Sequence, residues 1–160
     1  LEVGYVRSKH LVIIGVDPGK ATGLALYYNG HLIAKNSLPA NDSPTEISRW
    51  IINAKTKFQG NAQIIIAVER YQTGGSTVKK TRQADPVELL GACRMIARGD
   101  PAVSVVTSNA SDAKKVGNPT TLKRIGWWTP GHDHINDAAS QVLRTLAAVR
   151  PLEFAEVIGV

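Results

Sequence analysis

Two stretches of this chain are apolar without alternation and end on a single acid. Leu11-Val-Ile-Ile-Gly-Val runs into Asp17, and Gln63-Ile-Ile-Ile-Ala-Val runs into Glu69. Unbroken apolar runs of this length read as strands buried on both faces, which places each acid at a strand's carboxyl end. Pro18-Gly19 then forces a turn. Thr22–Tyr28 and His31–Leu38 are strand-like and joined by Asn29-Gly30, a type I′ hairpin signal because both residues tolerate positive φ. Ala102–Thr107 is expected to be a third short buried strand. Helical spacing governs Ile47, Trp50, Ile51 and Ala54, with Ser43 as N-cap, Pro44 at N1 and Glu46 at N3. It returns after Asp85-Pro86, in Val87, Leu90, Gly91, Arg94, Met95 and Ala97. It appears last from about Asp133 to Arg150, in Ile135, Ala138, Ala139, Val142, Leu146 and Val149. Gly60, Gly99-Asp100-Pro101 and Pro151 end these helices. Arg70–Gln83 is polar, basic and irregular, and Ser108–Trp128 mixes short helical pieces with lysines and arginines.

The resulting order is β-β-β-α-β-α-β-α, an α/β class with a five-stranded mixed sheet: three antiparallel strands, then two parallel ones, flanked by helices. Crossovers through helices make the first, fourth and fifth strands parallel. Parallel strands share a direction, so the ends bearing Asp17 and Glu69 lie side by side, where ligand sites form in such sheets. One domain is expected over residues 11–150. Residues 1–10 read as an N-terminal tail or expression remnant, and 151–160 as a C-terminal tail.

Composition changes this picture in two ways. The formal charge of +6 and pI near 9.6 favour a polyanionic partner. The single cysteine, Cys93, lies in an apolar helical pattern, which excludes a disulfide framework and points to a cytoplasmic protein with Cys93 in its core. No apolar run approaches the ~20 residues of a membrane span.

The candidate chemistry lies where the last helix opens, Gly131-His132-Asp133-His134-Ile135-Asn136-Asp137-Ala138-Ala139. His134 and Asp137 are i,i+3, and Asp133 and Asp137 are i,i+4, so either pair shares a face close to that of Ala138 and Val142. An acid facing the sheet is costly unless it is paired or binds a cation. Taken singly, Asp17 suits a turn cap, Glu69 a partner for Arg70 or a nearby lysine, Asp133 an N-cap or dipole partner, and His134 a surface or capping residue. Together, three carboxylates and an imidazole call for a hard divalent cation, Mg²⁺ or Mn²⁺. Two such ions ~4 Å apart can activate a water and stabilise the leaving oxygen of a phosphodiester.

Four motifs in order carry a family resemblance: Val16-Asp17-Pro18-Gly19, Val68-Glu69, Leu89-Leu90-Gly91-Ala92-Cys93-Arg94 and His134-Ile135-Asn136-Asp137-Ala138-Ala139. From about Leu11 to Leu146 the chain resembles the RuvC family of Holliday-junction resolvases, ribonuclease-H-like endonucleases of bacteria and their phages. Its brevity and departures look more like a phage-encoded member, acting in the bacterial or phage-infected cytoplasm. The resemblance implies Asp17, Glu69, His134 and Asp137 as catalytic metal ligands, with Asp133 as the alternative to His134. It also implies a homodimer through the helix around Pro86–Arg98, cutting two strands of a four-way junction to leave 5′-phosphate and 3′-hydroxyl ends. Tyr71, Lys79, Lys80, Arg82, Lys114, Lys115, Lys123 and Arg124 are the candidate DNA contacts. The family's aromatic residue three positions after the glutamate is Gln72 here, with Tyr71 beside it. Asn118-Pro119-Thr120 alters the spacing of the later lysines, so which lysine approaches the scissile phosphate stays open. The Trp127-Trp128 pair is not a family hallmark and is expected in the core.

Three other readings fit parts of the chain. A YqgF-like RNA-processing nuclease, or a flap or branched-DNA nuclease, would use the same site. An ATP-binding module of the actin/Hsp70/sugar-kinase superfamily would use Asp17-Pro-Gly-Lys-Ala-Thr-Gly23 as a phosphate loop, but needs two such domains to close over a nucleotide. A non-catalytic DNA-binding module leaves Asp137 unexplained. Helicase partners are not readable from the sequence.

Overall fold

The computed structural model describes residues 9–70 and 84–160. Strands β1 (His10–Asp17), β2 (Ala21–Tyr28) and β3 (His31–Pro39) precede α1 (Ser43–Lys57) and β4 (Ala62–Glu69). Then come α2 (Ala84–Arg98), β5 (Val103–Ser108), α3 (Ala110–Val116), α4 (Pro119–Arg124), α5 (Asp133–Val149) and α6 (Pro151–Ile158). The sheet order is β3-β2-β1-β4-β5, with β1, β4 and β5 parallel and the β1-β2-β3 pairs antiparallel. This is the mixed sheet the sequence predicts. Asn29 at φ 52° and Gly30 at φ 86° make the expected primed turn between β2 and β3.

Strand periodicity divides the core into two layers. Val12, Ile14 and Val16 of β1, with Ile64, Ile66 and Val68 of β4, face α1 and α2 and meet Ile47, Trp50, Ile51 and Cys93. Leu11 and Ile13, with Ile65 and Ala67, face the other way and meet Ala138, Ala139, Val142 and Leu146 of α5. Asp17 and Glu69 continue this second set by period two, so both point to the α5 side. Cys93 is fully buried, and desolvation pushes its thiol up to about 12, as expected of a core residue.

Helix α5 lies unusually close to the sheet because two strand positions lack a Cβ. A Cβ on Gly15 would come within 2.1 Å of the Ala138 carbonyl oxygen, and one on Gly23 within 1.9 Å of the His134 carbonyl oxygen. The obstacle in both cases is helix backbone, which cannot rotate aside.

Four local expectations are corrected. Ser43 is not an N-cap: a single 3₁₀ turn over Ala40–Asp42 precedes α1, Asp42 holds the cap position, and the Ser43 hydroxyl donates to the Pro39 carbonyl at 3.1 Å. Strand β5 is not fully buried: among the described residues it lies at the sheet edge and pairs only with β4, and it leaves Val106 exposed. Residues 151–160 are not a featureless tail, since Pro151 starts α6 at N1. That helix packs on α5, and Tyr27 donates to Glu153 Oε1 at 2.5 Å. The Trp127-Trp128 pair is split, with Trp127 buried against Tyr27 and Trp128 half-buried at a cavity wall.

The two glycine contacts predict that Gly15→Ala lowers stability by about 3 kcal/mol or more, because backbone must move to admit the methyl. Gly91→Ala, on the exposed side of α2 with nothing within 4 Å of its Cβ, should instead raise stability by about 1 kcal/mol. Chemical denaturation of both variants measures this, and equal midpoints would remove the close-approach constraint.

Candidate metal centre

Three chain segments bring carboxylates to one point. Asp17 ends β1, Glu69 ends β4, and Asp137 sits one turn inside α5, with ligand atoms of all three within 4.8 Å of one another. The close seating of α5 on Gly15 and Gly23 sets this distance, since Ala138 follows Asp137 and contacts the Gly15 position directly. Asp17 is buried, whereas the side chains of Glu69 and Asp137 are partly open to solvent. Asp137 thus lies at the flank of the sheet-facing stripe, with its carboxylate 30% exposed, rather than fully under the helix.

Burial and mutual repulsion dominate the electrostatics. Desolvation, with Asp137 nearby, raises Asp17 to about 6 even though Glu69 hydrogen-bonds to it. Desolvation, the Asp17 hydrogen bond and the charges of Asp17 and Asp137 raise Glu69 to about 8. Lys114 relieves part of this, its Nζ lying 3.4 Å from Asp137 Oδ1. It is placed by α3 packing alongside α5: the Ser140 hydroxyl donates to the Gly117 carbonyl at 2.6 Å, and a Cβ on Gly117 would reach within 2.8 Å of Ser140 Cα. Lys114 and Asp137 each lie three residues before that contact.

His134 Nδ1 is 2.8 Å from Asp17 Oδ2, so the imidazole sits against the most buried carboxylate rather than joining the trio of mutually close oxygens. Asp133 is the first residue of α5, exposed, and outside the trio; His132 is the N-cap. Glu69 does not pair with Arg70, whose guanidinium donates to Thr107 Oγ1 at 3.2 Å. Three hard oxygen donors at mutual ligand distance, held in a place that penalises their charge, fit a divalent cation of the Mg²⁺ or Mn²⁺ type.

The remaining sequence candidates scatter. Lys115 pairs with Asp112 on an exposed face, Arg124 donates to the Ile158 carbonyl at 2.7 Å, and Lys123 lies 4.9 Å from the centre of the Trp128 ring. Tyr71, Lys79, Lys80 and Arg82 lie outside the described residues. The spacing change at Asn118-Pro119 has a local cause, for Asn118 caps α4 by accepting from the Thr121 N–H at 2.9 Å, with Pro119 at N1.

Sequence reasoning missed Asn136. It is buried beside Asp137, its Oδ1 accepts from the Thr129 N–H at 2.7 Å, and its Nδ2 donates to the Thr129 carbonyl at 2.9 Å. Nothing local distinguishes such an asparagine from an ordinary helix polar residue. Gly15 and Gly23 did carry a signal, since an isolated glycine inside a strand marks close backbone approach.

No family model matches the chain, and no curated protein matches it. Solved structures do. RuvC of Thermus thermophilus in complex with a Holliday junction substrate superposes with a TM-score of 0.59 at 20% identity, covering 87% of this chain and 95% of that one. A second Thermus thermophilus RuvC structure gives 0.55 at 18% identity, covering 92% and 96%. The fold is that of RuvC. The RuvC-like fold therefore spans nearly the whole chain, and the acid trio lies beyond the carboxyl ends of its parallel strands.

A trio of this kind links stability to pH with a definite sign. Both raised carboxyls hold their protons more tightly folded than unfolded, so their ionisation destabilises the metal-free fold. The cost is absent below the ordinary carboxylate range near pH ~4 and is complete above the folded value of about 8. Asp17→Asn should therefore raise the melting temperature of the chelated protein more at pH 8 than at pH 5. Mg²⁺ or Mn²⁺ should raise the wild-type melting temperature at pH 8 and leave Asp17→Asn nearly unmoved. Melting curves followed by circular dichroism test this, and an equal metal response in the two proteins would remove the trio as a cation site.

Proposed function

We propose that this protein is a divalent-metal-dependent endonuclease that resolves four-way DNA junctions by paired phosphodiester hydrolysis, leaving 5′-phosphate and 3′-hydroxyl ends. The convergence of Asp17, Glu69 and Asp137 within 4.8 Å, on a RuvC-like fold, carries this reading. A structural neighbour of that fold was solved with a Holliday junction. The basic charge of +6 suits a DNA partner.

In this reading Asp17, Glu69 and Asp137 hold the cation, with His134 as fourth ligand beside Asp17. When bound, one or two Mg²⁺ or Mn²⁺ ions would activate the attacking water and stabilise the leaving oxygen. Asp17 contributes most to preorganisation, being buried at a strand end and fixed against the His134 ring. Lys114, already at the trio, is the lysine that approaches the scissile phosphate, whereas Lys115 faces away toward Asp112. Tyr71, Lys79, Lys80 and Arg82 supply outer DNA contacts. A homodimer presents two such sites to the two cut strands. The α2 surface supports this, since Val87 and Met95 are exposed on either side of exposed Gly91, at helical spacing.

Asp17→Asn and Asp137→Asn should abolish cleavage while junction binding persists, and undiminished cutting in Mg²⁺ by either would end the metal-site reading. Lys114→Met should lower the turnover rate at least tenfold, with Lys115→Met near wild type. Reversing Lys79, Lys80 and Arg82 together should weaken binding and flatten its salt dependence, since phosphate contacts release counterions. Labelled four-way junction, flap, duplex and RNA–DNA hybrid, incubated in parallel with Mg²⁺ or Mn²⁺, separate the substrates. Symmetric paired nicks on the junction alone are expected, and preferential cutting of flap or hybrid would favour the alternative nucleases. Val87→Glu with Met95→Glu should shift the sedimentation of the protein to monomer.

A further inference from the structure

A cavity of about 280 Å³ opens beside the acid trio, between α3, α4 and the first turns of α5. Its lining includes Trp128, Lys114, Leu122, Pro119, Asp133 and Asp137. It therefore shares Lys114 and Asp137 with the metal centre and adds an aromatic wall that the centre does not use. Its volume falls just below the ~300–1,000 Å³ typical of ligand clefts, enough for one ring system and too small for a folded segment.

The wall is held from several directions. Trp127, the preceding residue, is buried in the core against Tyr27. Lys35 Nζ donates to the Trp127 carbonyl at 3.3 Å and to Thr129 Oγ1 at 3.0 Å. Asn136 clamps both backbone groups of Thr129. The backbone on each side of Trp128 is thereby tied to β3 and α5, which fixes where the indole is attached at the cavity edge. Burying part of Lys35 to do this lowers its basicity through desolvation, a cost the clamp must offset. A loop secured this firmly around a half-buried tryptophan is preorganised to receive a flat partner.

Charge selects the kind of partner. Asp133 and Asp137 in the lining disfavour an anionic group inside the cavity, and Asp133, which lies outside the acid trio, can accept hydrogen bonds from ring or exocyclic N–H groups. Lys114 lies in the cavity lining, and Lys123 Nζ sits over one face of the Trp128 ring, 4.9 Å from its centre, so a stacked base takes the other face. Both ammonium groups are near enough to neutralise a flanking backbone phosphate. An aromatic ring bearing N–H donors, attached to a phosphodiester, satisfies all of these features.

We propose that this cavity is a nucleobase subsite, in which Trp128 stacks on a base of the strand whose phosphate reaches the acid trio. The identity of that strand rests on the nuclease reading above, whereas base binding does not require cleavage. Trp128 is then a specificity-determining residue: the base it accepts sets the register of the strand over the metal centre.

The test uses the intact 160-residue chain with short single-stranded oligodeoxynucleotides, followed by junction cleavage. Without metal, oligonucleotide should quench tryptophan emission, because Trp128 is accessible whereas Trp50 and Trp127 are 7% and 4% exposed. Trp128→Phe should lose this quench yet keep its affinity, measured by anisotropy of labelled oligonucleotide, within about threefold. Trp128→Ala should weaken affinity by about fivefold or more, as expected for one lost stack of ~1–3 kcal/mol. On junctions with randomised arms, wild type and Trp128→Phe should share a preferred cut site, and Trp128→Ala should spread its cuts over neighbouring positions. Far-ultraviolet circular dichroism reports the fold of both variants, and Trp128→Phe carries the conclusion if Trp128→Ala unfolds. Absence of quenching in the wild type, or equal affinity and equal cut-site choice in Trp128→Ala, would overturn the subsite. Quenching that requires Trp128 in a protein that cuts no DNA would retain base binding and overturn the nuclease reading instead.

Discussion

The structure depends on how closely one helix can lie on the sheet. Where Gly15 and Gly23 sit, α5 rests its own backbone on β1 and β2, at distances that any Cβ would prevent. Everything at the site is measured from that contact. Lifted outward by even a methyl's thickness, α5 would carry Asp137 away from Asp17 and Glu69 and His134 off the Asp17 carboxylate. Apolar packing of Val142 and Leu146 supplies the attraction, but attraction alone does not specify a distance. Two missing side chains do.

That geometry has an electrostatic cost which the rest of the molecule distributes. Clustering three acids and burying one opposes folding of the metal-free chain, as the raised Asp17 and Glu69 show. Lys114 offsets part of it locally, and the chain's positive excess supplies a weaker field. The compensation is incomplete, as Asp17 and Glu69 stay raised despite Lys114. A cluster of carboxyls raised by burial and by one another, at the ends of parallel strands, is the kind of place where functional sites concentrate.

How much of this was legible in the sequence follows from which interactions are local. Asp17 and Glu69 could be placed because each ends an apolar run, and parallel crossovers fix their strand ends together. The sheet order and the opening of α5 followed from the same reasoning. Asp133 against His134 could not be decided from spacing, because both share a helix turn with Asp137 and only the packed angle of α5 points His134 at Asp17. Ser43 failed as an N-cap because the 3₁₀ turn before it displaced the cap to Asp42. The α6 helix was missed because its stability comes from docking on α5 and from the Tyr27–Glu153 bond, between residues 126 positions apart. Long-range polar clamps such as Lys35 and Asn136 leave no periodic trace.

The opening of α5 shows why one short motif can serve so many ends. A helix turns about 100° per residue, so consecutive side chains leave in different directions. His134 reaches the carboxylate ending β1, Ile135 is buried toward the sheet, and Asn136 grips the loop that carries Trp128. Asp137 joins the acid cluster, and Ala138, the residue after it, brings its carbonyl against Gly15. The core, the acid cluster and the cavity wall are therefore coupled through five successive residues of one rigid element. A change at any of them moves the others, which makes Asn136, distant from the trio in chemistry, close to it in consequence. It also bears on the split tryptophan pair: Asn136 holds Thr129 and Trp127 anchors the loop in the core, which leaves Trp128 half-buried at the cavity wall.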